Sequence, residues 1–356
     1  MAGRLKAIRS EIVADPRGID LPSKLLEEYG SRRAESRLFQ ILAEARRLRD
    51  TIDRLVIVAD VGIARATRLL VSACCHPFHD QLPRGERGGR PRLAWVDTDA
   101  DTDRLHGILD LVAPEGRPRS HDLLDQWAMM AVTAVTAVMA VDPRRDERST
   151  LATVQVLADA LAKAADGDTE IVSQRIVAIA RSGSALAEWA DALGCHSQFH
   201  DGPASGGPEG VFTAAALLPA AIGGINVVRL LEGAHAMLVR FAEAPAEANP
   251  VLADAATRYH ASREAGLAGS VFHGGGEALA ELGAWMEHVR PARAEAPALV
   301  TEIVIMESRR GSLAPHREAF RPVTIRLPRL DEHALGQLLQ LVILSAAVEE
   351  RLCEAV

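Results

Sequence analysis

The chain has 356 residues, enough for one large or two medium domains, each with a substantial core. Apolar residues at 48% and charged residues at 25% are ordinary for a globular chain, and a net charge of −8 removes any general electrostatic pull toward nucleic acid or an anionic membrane. Four cysteines, with Cys74 and Cys75 adjacent and no C-x-x-C, argue against a disulfide framework or a zinc knuckle and for a reducing, cytoplasmic setting. The opening MAGRLKAIRSEI lacks the apolar stretch of a signal peptide. The longest apolar run, Ala128 to Val141, falls short of the roughly 20 residues a spanning helix needs, so no membrane association is expected.

Residues 1–54 carry Leu25, Leu38, Ile41, Leu42 and Leu48 among Arg and Glu, the pattern of a helical lead-in expected to pack on a first domain. Leu55–Ala59 reads as a short buried strand and Ala64–Ala73 as the helix it feeds. His76 and His79 have a spacing that metal ligands use, but no third or fourth ligand lies nearby, so a loop role is expected and no metal. Leu93–Val96 is the next strand, and Asp101 or Asp103 is placed to cap a helix through Leu111. Trp127–Met130 reads as strand, and Ser149 and Thr150 stand ready to cap a helix over Leu151–Ala164.

From Ile171 onward the alternation resumes: strand Ile176–Ala180, turn Arg181–Ser184, helix through Leu193, strand Cys195–His200. His196 and His200 flank that last strand, and a metal site there is improbable. A glycine-rich turn (Gly202, Gly206, Gly207, Gly210) opens an apolar helix with Leu217-Leu218-Pro219, ended by Gly223-Gly224. Asn226 is a good N-cap for a helix to Ala242, followed by a helix over Pro250–Ala265. Val271–His273 runs into Gly274-Gly275-Gly276 and a helix bearing Leu279, Leu282 and Trp285. Strands at Leu299–Met306 and Pro322–Pro328 precede a long helix to Leu352. Short apolar strands alternating with helices predict an α/β fold with parallel sheets.

Several of these stretches resemble glucose-6-phosphate isomerases. Leu217-Leu218-Pro219-Ala220-Ala221 and Gly224-Ile225-Asn226 through Leu230-Leu231-Glu232-Gly233-Ala234 match the family's G-L-L-P-A-A and G-I-D-x-x-x-L-L-x-G-A helices. Leu327-Pro328-Arg329-Leu330-Asp331-Glu332 with Leu335-Gly336 matches L-P-x-L-D-E-x-x-L-G-x-L. Cys75–His79 and Glu86–Arg92 resemble C-H-P-F/Y-H and E-R-G-G-K/R-P-R of a bacterial branch. The resemblance covers most of residues 55–353. It implies two sugar-isomerase-type three-layer α/β/α domains (flavodoxin-like, with parallel sheets): a helical segment 1–54, a first domain 55–170 and a second domain 171–356. It also implies a homodimer and a phosphosugar ligand, with no cofactor.

The chemistry departs from the family where the scaffold does not. In the G-I-G-G-S loop only Gly62 survives, Ile63 holds the serine position, and Asp60 adds a negative charge. Ser149, Thr150 and Thr153 are the only remnants of the phosphate loop S-K-S-G-G/T-T-x-E-T. Pro208, Glu209 and Gly210 replace the arginine, aromatic and serine of G-G-R-F/Y-S. After Trp285 the run Arg290–Ala296 stands where E-S-x-G-K, with its base glutamate, is expected; Met306-Glu307-Ser308 echoes it in the wrong context. No D-L-H-S precedes Ala298, His316 is no replacement by context, and the sequence ends at Val356 short of the family's lysine motif. The resemblance therefore implies a catalytically degenerate homologue whose residual substrate-binding positions are Gly62, Ser149, Thr150, Gly206 and Gly207, with no catalytic residue assigned. An isomerase with a rebuilt site and a sugar-phosphate sensor are the alternatives.

Overall fold

Leu55–Ala59 is apolar throughout and every residue of it is buried, as a central strand covered on both faces requires. The computed structural model describes residues 1–59, 61–97, 102–112, 127–132, 147–200, 207–267, 270–274, 277–290, 299–305 and 323–354. It divides into two compact units, one formed by Phe39–Arg68 with Phe78–Ile225, the other by Met1–Leu38, Leu69–Pro77 and Asn226–Val356.

In the first of these units, β1 (Arg54–Ala59) pairs in parallel with β2 (Arg92–Asp97) on one side and β3 (Trp127–Val132) on the other. β4 (Ile176–Ile179) and β5 (Ser197–Phe199) extend the sheet, all parallel, in the order β2-β1-β3-β4-β5. The crossovers are helical: α4 (Val61–Cys74), α5 (Thr102–Val112), α6 (Glu147–Ala164), α7 (Thr169–Arg175) and α8 (Ala185–Leu193). Val56, Val58 and Val96 pack with Ile108 of α5, Leu157 and Leu161 of α6 and Leu186 of α8 on one face. Trp95, which alternates with Val96, points to the other face, where its Nε1 donates to Thr67 Oγ1 of α4 at 2.9 Å. The unit is thus three layers. Its helix ends follow local chemistry: Asp168 caps α7, Ser184 caps α8, and Gly194, at φ 69°, ends α8 in the left-handed conformation that glycine adopts without strain.

This sheet corrects the boundary expected between residues 170 and 171. β4 and β5 lie beyond it in sequence yet hydrogen-bond onto β3, so the division would cut one sheet in two. A buried apolar run identifies a strand but carries no label for its neighbour.

The second unit has its own parallel sheet, β6 (Ser270–Gly274), β7 (Leu299–Ile305) and β8 (Val323–Leu327), in that order. Around it stand α1 (Ala2–Ala14), α2 (Leu21–Arg32), α10 (Val227–Glu243), α11 (Pro250–Ala265), α12 (Glu277–Val289) and α13 (Glu332–Glu354); α3 (Arg37–Thr51) and α9 (Ala214–Ile222) complete the described α-helices. α10 and α13 meet backbone to backbone. A Cβ on Gly233 would lie 2.0 Å from the carbonyl oxygen of His333, and one on Gly336 would lie 1.9 Å from that of Leu230. The helix starts are tied as well: Asn226 Oδ1 accepts from Arg229 N, Asp331 Oδ1 from Ala334 N, and Glu332 Oε1 from the amide of Asn226 at 3.4 Å. The best-kept family motifs are therefore the ones that build this helix pair.

The N-terminal helices also differ from expectation. α1 and α2 belong to this unit, not to that of β1: Arg4 donates to the carbonyl of Leu352 at 2.6 Å, Arg9 to that of Ala244 at 2.8 Å, and Gln340 to that of Ile19 at 2.8 Å. In the same unit a buried ionic cluster joins α11, the end of α12, β7 and α13. Asp254 accepts from Arg258 at 3.0 Å and Arg290 at 3.3 Å, Arg258 donates to Thr301 at 3.1 Å, and Arg290 also donates to Ser345 and faces Glu349 at 3.5 Å. Burial works to raise the Asp254 carboxyl, but Arg258 and Arg290 outweigh it and hold it below its usual range. Burial pushes Glu349 up despite Arg290.

Candidate functional site

The order β2-β1-β3 means that the chain leaves β1 to one side and returns to the other, a topological switch point between β1 and β3. In doubly wound sheets the crevice beyond the carboxyl ends of the strands at such a point is where ligands bind. β1 ends at Ala59 and α4 begins at Val61; β3 ends at Val132 and the next described helix, α6, begins at Glu147. The start of α4 therefore lies directly at one of the two strands that flank the switch.

Gly62 is the second residue of α4 and half-buried, inside the helix instead of in a loop before it. Ser149 and Thr150 fall in the first turn of α6, since the helix starts at Glu147; neither is its N-cap, and Thr150 is buried. Gly62 thus lies at the switch point by connectivity, while Ser149 and Thr150 open the next described helix after β3. Gly207 does not lie there. It follows β5, at the sheet edge, and is exposed ahead of the 3-10 turn Pro208–Phe212. Gly206 lies outside the described residues, as do Asp60, Asp101, Met306–Ser308 and His316. α5 begins at Thr102, so Asp103 sits within its first turn.

The site's polar inventory is narrow. Ile63, which the resemblance sets at the serine of G-I-G-G-S, is only 3% exposed and serves as core. Pro208 opens the turn where the family has arginine, and proline brings no N–H. On α4, Thr67 donates to Ala64 O at 2.9 Å and accepts from Trp95, and Arg68 stands over the Trp95 ring at 5.7 Å. Arg104 of α5 donates to the Trp95 carbonyl at 3.2 Å. Arg65, in the second turn of α4, is half-buried; nothing in the sequence marks it, because an arginine in a helix reads as a solvated face.

Other sequence candidates have local explanations. His79 is buried with Nε2 3.2 Å from the carbonyl of Pro91, which ties it to the loop preceding β2. No group of three or more His, Cys, Asp or Glu that could hold a metal exists among the described residues. Burial pushes the thiols of Cys195 to about 11 and of Cys74 to about 12, away from the thiolate form a nucleophile needs. None of the described helices is long and apolar enough to cross a membrane.

Comparison with known proteins agrees with this architecture. Glucose-6-phosphate isomerase from Rubrobacter xylanophilus is 30% identical over 284 residues, covering 79% of this chain and 57% of that protein. The isomerase of Symbiobacterium thermophilum is 27% identical over 243 residues, covering 67% of this chain and 47% of its own length. The chain thus spans about half the length of the curated relatives it matches. Among solved structures, a hypothetical protein from Thermus thermophilus superposes with a TM-score of 0.71 at 18% identity, covering 98% of this chain and 89% of that one. A glucose-6-phosphate isomerase from Chlamydia trachomatis superposes at 0.61 with 14% identity, covering 87% and 68%. No family model matches the sequence. On its curated relatives and the shared sugar-isomerase-type fold, the chain is a diverged member of the glucose-6-phosphate isomerase family.

Proposed function

We propose that this chain keeps the sugar-isomerase scaffold without the isomerase chemistry, and that the switch-point crevice holds phosphorylated sugars only weakly. The observation that carries the reading is Ile63. Its position, which supplies a hydroxyl in the family's loop, is buried apolar core at 3% exposure, so a substrate-facing donor has become a packing residue. Aldose–ketose isomerisation needs a positioned base and an acid–base group for ring opening, each contributing typically about 10² to 10⁴-fold. Arg290–Ala296 stands where the family's E-S-x-G-K bears the base, no D-L-H-S with the ring-opening histidine precedes Ala298, and Pro208-Glu209-Gly210 replace the arginine turn. Each lost charged hydrogen bond costs about 1.5–3 kcal/mol. Two such losses move a micromolar phosphosugar to the millimolar range, at about 1.4 kcal/mol per decade.

The test is a coupled assay with fructose 6-phosphate on protein prepared from a host lacking its own isomerase. The expected result is no turnover above background. Turnover on the order of 10 per second, ordinary for enzymes, would refute the proposal and establish a rebuilt active site.

A further inference from the structure

We propose that Arg65 is the anion-holding residue of the switch-point crevice, taking the phosphate of a phosphorylated sugar or sugar acid in place of the groups the family uses. The inference rests on the reading of that crevice as a phosphosugar site and assigns a recognition residue within it.

Arg65 is the fifth residue of α4, the helix that starts directly beyond the carboxyl end of β1. A helical side chain leans toward the helix N-terminus and covers the turn before its own Cα. For Arg65 that turn is Val61-Gly62, at the switch point.

Its partners, or the lack of them, set it apart. Arg68, one turn on, lies over Trp95, and Arg104 is engaged by the Trp95 carbonyl. Arg65 makes no hydrogen bond, ion pair or ring contact among the described residues, although it is half-buried. A solvated surface arginine needs no partner. A half-buried one with no acceptor among the described residues keeps its five N–H donors for a ligand. The planar fork matches two oxygens of a phosphate, and such a pair is among the stronger hydrogen-bonded contacts available.

The experiment is a ligand-observed NMR titration with 6-phosphogluconate, with gluconate and inorganic phosphate as separate arms, on the full chain and on Arg65→Met and Arg65→Lys. Arg181, exposed on the turn after β4, is the competing cation, and Arg181→Met is the fourth protein. The expected result is millimolar binding by the parent chain and roughly tenfold or more weaker binding by Arg65→Met, the floor that one charged hydrogen bond sets. Arg65→Lys should fall between them, Arg181→Met should match the parent, and gluconate should not bind. Matching circular dichroism spectra establish that the variants fold. If the parent binds and Arg65→Met binds equally well, or Arg181→Met is the weakened variant, the assignment of Arg65 is wrong while the crevice reading stands. If the parent binds none of the phosphorylated ligands, the crevice reading itself fails and this inference goes with it.

Discussion

Replacing Gly336 by alanine tests the helix pair on which the second unit is built. Gly→Ala inside a helix is normally stabilising, by about 0.8–1 kcal/mol, because alanine loses less backbone entropy. Here the added Cβ would sit 1.9 Å from the Leu230 carbonyl oxygen, 2.9 Å from its carbon and 3.0 Å from the amide of Ala234. All three atoms are backbone, so no rotamer change relieves the overlap, and α10 and α13 must separate by about 1 Å. Overpacking of this kind costs about 1–3 kcal/mol. With backbone on both sides the upper end applies, leaving a net loss of about 2 kcal/mol after the propensity gain. Urea denaturation followed by circular dichroism should show the midpoint falling by roughly 1 M. Gly107→Ala is the control: it lies exposed in α5 with nothing within 4 Å of a new Cβ, and should gain up to about 1 kcal/mol. Gly233→Ala meets the His333 carbonyl at the same crossing, so the double variant should lose less than the two singles summed. A Gly336→Ala protein as stable as the parent would show that the two backbones do not approach this closely.

Two further outcomes are expected. Because burial holds Glu349 above its usual value near 4.5, its ionisation opposes folding at neutral pH, and that penalty disappears as pH falls through the raised value toward 4.5. Glu349→Gln should therefore be more stable than the parent at pH 7 and indistinguishable from it below about pH 4.5, measured as urea midpoints; a less stable variant at neutral pH would contradict the cluster's electrostatics. A homodimer that persists without ligand is the expected assembly, on the retained α10 and α13 and the dimeric habit that the family resemblance implies. Light scattering that finds a monomer at micromolar concentration counts against it.

Much of this fold was legible one segment at a time. The apolar run at Leu55–Ala59 is the interior of β1, Asn226 caps α10, and Pro250–Ala265 is α11 to the residue, because caps, prolines and periodicity act within a few positions of where they stand. The motifs of α9, α10 and α13 were legible too, and with them the family. What the sequence held back was adjacency. That β4 and β5 join the sheet of β1, and that α1 and α2 dock on Leu352, Ala244 and Gln340, depends on which buried faces meet, and hydrophobic periodicity carries no address. Likewise Ser149 and Thr150 resembled caps until the helix proved to start at Glu147. Burial and partnership are the last properties to emerge, because they are sums over distant residues. In one dimension Arg65 and Arg68 are two arginines on one helix face; only the packing of Trp95 against α4 gives one of them a ring partner and leaves the other half-buried without a partner among the described residues.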